Sequence, residues 1–412
     1  DFFWTAVVYG QDQSFASTFS SVNATRTAET PASDQFDVPA AAFGGSWTGA
    51  WNHGGKSLTS AGVDYRRVRG ETRENFTFSA GSFTRQRIAG GTQQTGGFFA
   101  QHEQPLLGTL RLTVGGRLDR WEESSGHRRE TDRPTGAVLR DDRYANRAGT
   151  EFSPSAGLVW TLAPGWRMRA AAQHSFRRPT LNELYRPFRV GNVITEANAA
   201  LKTEHATTAE WGIDYTHPRF SVGAALFWNE LTDAVGNVTL ARGPGTFPIV
   251  GFVPAGGLGR QRLNLDRTRV QGLELSARWR ASPALSLQAD YLYNDATVQA
   301  AGVAPALVGH RLAQVPRQSA AFSATWRPAG KFTVTPRVRA LGRQFEDDEN
   351  LLVLGAALVA DLGVSYDLTP RSALYVNAEN LTDARIETGR STDGIVNTGT
   401  PRLVTGGIRM AW

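Results

Sequence analysis

The sequence predicts an all-β fold, namely a transmembrane, antiparallel, up-and-down β-barrel. Two observations support this prediction. Short connectors rich in Pro and Gly alternate with long polar connectors along the chain, and the segments between them alternate apolar and polar residues with a period of two. A meander with all its tight turns at one end and all its long loops at the other has this pattern, and outer-membrane barrels are built in this way.

Both kinds of connector can be located from composition. Tight turns are predicted at seven places, which are residues 52–56, 104–108, 163–165, 216–219, 281–283, 327–331 and 368–371. Long loops are predicted at six places, which are residues 72–94, 122–149, 177–202, 232–266, 299–314 and 382–400.

The strands between the connectors have one apolar face and one polar or small face, because successive side chains of a strand point to opposite sides. The residues predicted to face lipid are Trp211, Ile213, Tyr215, Phe220, Val222, Leu226, Trp228, Leu287, Tyr291 and Ile408. The residues predicted to face the lumen are Glu210, Asp214, Gln288, Asp290 and Arg409. A soluble sheet with one wet face would show the same alternation, but strands of about ten residues, with aromatic residues near their ends, favour the membrane.

Composition narrows the class of protein. The chain has no cysteine and therefore no disulfide framework, and its net charge of +6 comes from Lys and Arg residues that are nearly all arginine. A basic chain can bind nucleic acid, but no nucleic-acid-binding motif is recognisable, so we expect no nucleic acid partner. Arginines in the lumen, or in loops beside lipopolysaccharide phosphates, explain the charge more simply, because guanidinium pairs with phosphate.

The strand count leaves two architectures open. Working back from the C-terminus gives about 16 strands, an even number that suits such a barrel. A complete barrel of about that size would be a porin. No signal peptide opens the chain, since Asp1–Tyr9 already reads as a strand. We therefore expect residues 1–412 to come from a processed or larger protein.

Four segments, in order, resemble the TonB-dependent outer-membrane receptors. The segment Ser-Phe-Arg-Arg-Pro-Thr-Leu-Asn-Glu-Leu-Tyr at 175–185 is similar to that family's Phe-Arg-x-Pro-Thr-x-x-Glu-Leu-Tyr motif. Residues 198–204 resemble its Asn-Pro-x-Leu-Lys-Pro-Glu motif with both prolines replaced. Residues 376–383 and the terminal strand 401–412, which ends in Trp412 where Phe is usual, complete the resemblance.

The resemblance implies a 22-stranded barrel plugged by an N-terminal domain. On that interpretation residues 1–412 are the C-terminal part of the barrel, and the plug and first strands are absent from this chain. The implied function is active transport of a scarce extracellular ligand across the bacterial outer membrane with energy from the inner-membrane TonB complex. A ferric siderophore is the first expectation; cobalamin, haem, copper chelates and saccharides are other ligands of the family. A passive porin-like channel or a structural barrel remains the alternative.

No catalytic constellation, resident cofactor or metal site is expected. The seven histidines show no ligand spacing, and the acidic run 346–349 reads either as a Ca²⁺ site or, more simply, as a solvated loop tip. Arginine supplies charge and stacking, and aromatic rings supply flat contact, so both suit an anionic aromatic chelate. The residues predicted to contact ligand in the outer loops are Arg85, Arg87, Arg143, Tyr144, Tyr185, Arg186, Phe188 and Arg189.

Overall fold

The structure is a computed structural model that describes residues 1–23, 25–54, 56–328 and 330–411. Trp412, predicted to end the last strand, lies outside the described residues. So do Gly55 and Ala329, which belong to two of the predicted turns.

The described residues form strands, one short α-helix and one 3₁₀ turn. The first half contains β1 (Phe2–Val22), β2 (Glu29–Asn52), β3 (Leu58–Ser79), β4 (Ser82–Leu107), β5 (Leu110–Asp132), β6 (Val138–Arg143), β7 (Arg147–Ala163), β8 (Trp166–Arg177), α1 (Leu181–Tyr185), β9 (Phe188–Val190), β10 (Val193–Glu196) and β11 (Glu204–Thr216). The second half contains β12 (Phe220–Arg242), β13 (Gly245–Phe247), β14 (Gly251–Val253), β15 (Leu258–Ser282), β16 (Leu285–Ala300), the 3₁₀ turn (Pro305–Leu307), β17 (Gln318–Trp326), β18 (Phe332–Leu341), β19 (Gln344–Phe345), β20 (Val353–Leu354), β21 (Ala357–Thr369), β22 (Ser372–Glu379), β23 (Glu387–Arg390), β24 (Val396–Thr398) and β25 (Leu403–Met410).

One sheet of nineteen strands forms the body of the protein. Without the short strands β6, β9 and β10, sixteen strands pair with their neighbours in chain order as an antiparallel meander, the number that the sequence predicts. Within the described residues, β1 and β25 are not paired with each other. The all-β antiparallel fold is therefore confirmed, whereas closure into a barrel and the absence of the plug remain predictions.

All seven predicted tight turns connect neighbouring meander strands, and the turn between β7 and β8 shows why. Pro164 fixes its own φ, and Gly165 adopts φ +84°, a conformation that is strained for a residue with a Cβ. A Cβ on Gly165 would also lie 2.5 Å from the carbonyl oxygen of Thr216 in the next turn. The Pro-Gly sequence is therefore required both for the backbone conformation of this turn and for its close approach to the neighbouring turn.

The predicted long loops are more ordered than the sequence suggests. Residues 72–94 were predicted as a loop, but β3 and β4 remain paired up to Ser79↔Ser82. The hairpin closes through Ala80 and Gly81, which both have positive φ, as a tight hairpin turn requires. The other long connectors carry the short elements β6, α1, β9, β10, β13, β14, the 3₁₀ turn, β23 and β24. Polar composition concealed these strands, because many of their buried side chains are polar or charged, such as Glu74 and Arg87.

The meander has two chemically distinct faces. Large apolar side chains form a continuous row on one face across five neighbouring strands, which are Trp47, Val63, Phe98, Leu118 and Phe152. Their exposed fractions lie between 37% and 60%. We call this the outer face. The opposite, inner face carries the adjacent row Ser46, Asp64, Gly97, Asp119 and Glu151.

The predicted lipid-facing and lumen-facing residues lie on opposite faces of the sheet. Trp211 is opposite Leu226 on the outer face, and both side chains are exposed. On the inner face, Arg169 binds Glu210 at 3.1 Å and Asp214 at 2.8 Å. A membrane-spanning strand requires this separation, because a charged side chain on the lipid-facing side destabilises the fold.

Among the residues that the structure describes, no helix is long and apolar enough to cross a membrane.

We predict that Leu226→Arg will destabilise the protein by about 2–4 kcal/mol, because it places a charge on the lipid-facing side of β12. Unfolding titrations in lipid vesicles measure this cost. Asn229→Arg is the matched control, since residue 229 of the same strand points to the inner face. Equal costs for the two variants would contradict a membrane-spanning β12.

Candidate functional site

The segment between β8 and β11 turns inward and covers the inner face at the long-loop end. Its helix α1 begins at the N-cap Thr180, whose hydroxyl accepts a hydrogen bond from the Glu183 N–H at 3.2 Å. The Glu183 carboxylate accepts one from the Thr180 N–H at 2.7 Å. This reciprocal capping box defines the start of the helix. The helix ends before Pro187, because the residue that precedes a proline avoids the helical conformation.

The capping box also sets the charge state of Glu183. Burial raises the pKa of this carboxyl, but the Arg177 guanidinium and the hydrogen bonds from Thr180 outweigh burial. They hold the pKa of Glu183 below its usual range. The carboxylate therefore stays ionised and able to accept the cap hydrogen bonds at neutral pH.

Helix α1 is held against the wall by apolar packing. Leu184 and Tyr185 are almost completely buried against Ala89 and Leu201. Glycine makes this approach possible, because a Cβ on Gly126 would lie 2.5 Å from the Tyr185 ring. Burying side chains of this size contributes roughly 1.5–3 kcal/mol each. The family-like motif at 175–185 therefore acts locally as a packing element.

A buried carboxylate on β5 reinforces this packing. Glu123 is 2% exposed and accepts hydrogen bonds from Arg178 at 2.5 Å, Arg147 at 2.6 Å and Gln93 at 3.1 Å. The Arg178 guanidinium also lies 3.5 Å from the centre of the Trp121 ring, a cation–π contact. Arg178, which occupies the variable position of the Phe-Arg-x-Pro motif, is thus bound to the wall on two sides.

Beside this segment lies a cavity of about 670 Å³, which we call the upper cavity. Its walls are the long-loop ends of β1–β5, residues 186–196, and Val250 and Phe252 from the β13–β14 connection. Five phenyl rings line it: Phe19, Phe76, Phe78, Phe188 and Phe252. A cavity of this size with convergent aromatic and charged groups is typical of small-molecule sites.

One wall of the upper cavity is an unbroken chain of six charged side chains, which we call the ion-pair chain. Its order is Arg186–Glu74–Arg87–Glu130–Arg128–Glu196. The successive nitrogen-to-oxygen distances are 2.7, 3.0, 2.7, 2.7 and 2.8 Å. The chain runs from the inward segment across three wall strands and back to β10, so it also fastens that segment to the sheet.

Arg189 lies outside the ion-pair chain. Its Nε donates to the carbonyl of Gly191 at 2.8 Å, and within the described residues it forms no ion pair with a carboxylate. Its side chain is exposed and lines the upper cavity. Two of its guanidinium nitrogens are therefore positioned to donate to a bound molecule.

The structure brings together half of the residues predicted to contact ligand. Arg87, Arg186, Phe188 and Arg189 line the upper cavity. Arg85 lies two residues before Arg87 on β4 and forms an ion pair with Asp132 at 3.3 Å.

The other three predicted residues, Arg143, Tyr144 and Tyr185, do not line the upper cavity. Arg143 is exposed at the end of β6, and Tyr144 stacks on Tyr185 with ring centres 5.0 Å apart. Tyr185 is 2% exposed and packs in the wall rather than lining the cavity. Ligand contact by any of the eight residues remains a prediction.

Sequence reasoning missed the carboxylates of the site. Glu74 and Glu130 were not singled out, although each lies directly opposite Arg87 across a strand pair. The signal was present as charges of opposite sign on adjacent strands, but it can be read only once the register of β3, β4 and β5 is known. The phenyl rings Phe19, Phe76, Phe78 and Phe252 were missed for the same reason.

The carboxylates of the acidic run 346–349 form hydrogen bonds and an ion pair within the protein. Asp347 accepts hydrogen bonds from the backbone N–H groups of Leu351 and Leu352, and Asp348 accepts two from Thr239. Glu349 pairs with Arg242. In the described parts of the chain, no group of three or more His, Cys, Asp or Glu side chains could hold a metal ion.

Comparison with known proteins identifies the fold family. A family model described as "TonB dependent receptor-like, beta-barrel" matches residues 1–381. The iron-regulated outer membrane virulence protein of Vibrio cholerae serotype O1 is 23% identical over 297 residues, which is 70% of this chain and 40% of that protein. This chain therefore spans less than half the length of that relative.

Solved structures show the same fold at low sequence identity. The ferric yersiniabactin uptake receptor FyuA of Yersinia pestis superposes with a TM-score of 0.75 at 16% identity, covering 100% of this chain and 59% of that one. The copper transporter OprC gives 0.76 at 17% identity, covering 99% and 62%. The ferric-catecholate import receptor Fiu of E. coli K12 gives 0.70 at 17% identity, covering 99% and 60%.

We predict that Glu74→Gln will destabilise the protein by about 3–5 kcal/mol, because it leaves Arg87 and Arg186 without their shared buried carboxylate. Unfolding titrations in vesicles measure the effect, and amide hydrogen exchange of residues 186–196 shows where it acts. Glu103→Gln is the control, since the exposed pair of Glu103 with Arg111 should contribute less than about 1 kcal/mol. If Glu74→Gln left the free energy of unfolding unchanged, the ion-pair chain would not be what holds residues 186–196.

Proposed function

This chain belongs to the TonB-dependent receptor β-barrel family of the bacterial outer membrane, and on that premise we propose that it is part of an active-transport receptor. The receptor binds a scarce metal chelate outside the cell, in the first instance a ferric siderophore. It imports the chelate with energy from the inner-membrane TonB complex. We further propose that the plug and the TonB-contacting segment belong to parts of the protein other than residues 1–412.

The upper cavity is the observation on which this proposal rests. It lies on the inner face at the long-loop end, which is the extracellular end in barrels of this architecture. Its five phenyl rings offer flat apolar contact, and Arg189 offers an unpaired guanidinium. Such a lining suits a compact chelate that carries aromatic rings and negative charge.

The names of similar proteins support a metal chelate as cargo. The structural neighbours are a ferric yersiniabactin uptake receptor, a copper transporter and a ferric-catecholate import receptor. The Vibrio cholerae relative is named as iron-regulated. These names have iron or copper in common, so we propose an iron chelate as substrate and a copper-containing ligand as the nearest variant.

The ion-pair chain supports the binding site of the proposed receptor. It fastens residues 186–196 over the inner face beside β3–β5. The same segment supplies Phe188 and Arg189 to the cavity.

We predict that cells producing the full-length protein will accumulate ⁵⁵Fe-labelled aromatic chelates only when their TonB system works, because a plugged lumen is closed to passive flow. Whole-cell uptake with and without TonB measures this. Phe252→Ala should weaken uptake affinity about tenfold, since it removes a ring whose contact is worth roughly 1–3 kcal/mol.

Two controls make the uptake experiment decisive. Phe98→Ala removes a ring of similar exposure (54%, against 62% for Phe252) from the outer face and should leave uptake unchanged. Single-channel recording in planar bilayers is the second control. Uptake without TonB, together with a large and stable open conductance of the full-length protein, would establish a passive porin and end the receptor proposal.

A further inference from the structure

The charge balance of the upper cavity points to one class of chelate. We infer that the site selects a ligand of single negative charge with an apolar, aromatic body, and discriminates against polyanionic chelates. This inference rests on the proposed function and adds to it the charge of the substrate. It follows from the observation that most guanidinium groups of the cavity are already paired with carboxylates.

The cavity is rich in arginine, yet almost all of this charge is internally compensated. Four guanidinium groups and three carboxylates line the cavity, which leaves a net charge of +1. Each carboxylate belongs to the ion-pair chain, in which three arginines alternate with three glutamates. Seen from the cavity centre, this chain is a row of opposed charges with no net charge.

The arginines of the chain are not free to serve a ligand as well. Arg87 and Arg128 each bridge two carboxylates, and the Arg87 guanidinium also lies 4.0 Å from the centre of the Phe76 ring. Arg87 and Arg128 are nearly buried, with side-chain exposures of 10% and 6%. Moving either of them toward a ligand would leave a buried carboxylate without its partner. The free energy lost in this way exceeds the free energy that the new contact would contribute.

Arg189 is therefore the group that supplies positive charge. Its β9 position faces Ile194 across the β9–β10 pair, so no carboxylate lies opposite it. One guanidinium fork matches one carboxylate or phenolate group in a bidentate manner. The rest of the cavity offers phenyl rings, of which Phe19 and Phe252 are 49% and 62% exposed.

A polyanionic chelate is poorly matched to this site. After Arg189 pairs with one of its charges, the remaining charges would face the ion-pair chain, which has no net charge and therefore no positive charge to offer them. Those charges would lose water without gaining a partner, which disfavours binding. A monoanion meets no such penalty and still gains the contact with the rings.

Three ferric complexes of different charge test the inference on the full-length protein in detergent. They are a bis-phenolate diaminodicarboxylate complex (charge 1−), a tris-catecholate complex (charge 3−) and a tris-hydroxamate complex (neutral). Quenching of tryptophan fluorescence measures each Kd. We expect the monoanion to bind at least about tenfold more tightly than the trianion, because the trianion carries uncompensated charge. Tighter binding of the trianion would overturn the charge inference alone, and failure to bind any of the three would overturn the chelate proposal with it.

Two variants test the roles of individual residues. Arg189→Gln should weaken monoanion binding about tenfold or more and leave the neutral complex unaffected, with Arg189→Lys restoring part of the loss. Glu196→Gln frees one bond of Arg128 and raises the net charge of the cavity, so the ratio of monoanion to trianion affinity should fall several-fold. Arg219→Gln, in the exposed tight turn between β11 and β12, is the matched control. Unchanged monoanion binding in Arg189→Gln would overturn the inference.

Discussion

The interstrand hydrogen-bond ladder is the constraint on which the rest of this structure depends. In a bilayer every backbone N–H and C=O must find a partner within the protein, because lipid offers none. The sixteen strands meet this requirement where they pair side by side, and the β12–β15 pair extends from Phe220↔Trp279 to Arg242↔Leu258. In the described residues, β1 and β25 are each paired on one side only. Once the ladder fixes the register, the period of two decides which side chains meet lipid and which meet one another inside.

The inner face then has to accommodate the charges that the outer face cannot hold. Buried carboxylates are stable only when they are paired, and Glu74 and Glu123 have two guanidinium partners each. One partner of each glutamate comes from the inward segment, namely Arg186 and Arg178. The contacts that neutralise the wall are therefore the contacts that position the segment and shape the upper cavity.

Much of the fold could be predicted from the sequence, because turns and alternation are local properties. The Pro-Gly pair at 164–165 and the alternation along β12 can be read from neighbouring residues alone. The extended β3–β4 hairpin could not, since charged and polar residues dominate its composition and its Ala80–Gly81 turn resembles an ordinary loop. Helix α1 was not predicted either, because its five residues are held in place by tertiary contacts.

The candidate site was predicted only in part, for a related reason. Counting arginines and aromatic residues near the outer strand ends identified Arg87, Arg186, Phe188 and Arg189. The same method included Tyr144 and Tyr185, which stack on each other, because composition does not distinguish a packed ring from an open one. The glutamates that neutralise the arginines lie on other strands, and only the register brings them into contact.

The relation between total and local charge follows from this register. A net charge of +6 suggests a basic interior, but on β4 the ladder sets Arg87 between Glu74 and Glu130, so the charge is cancelled where it lies. Arg189 escapes cancellation because it lies on a three-residue strand paired with another short strand, outside the long ladder. The meander itself thus determines which guanidinium is available to a ligand.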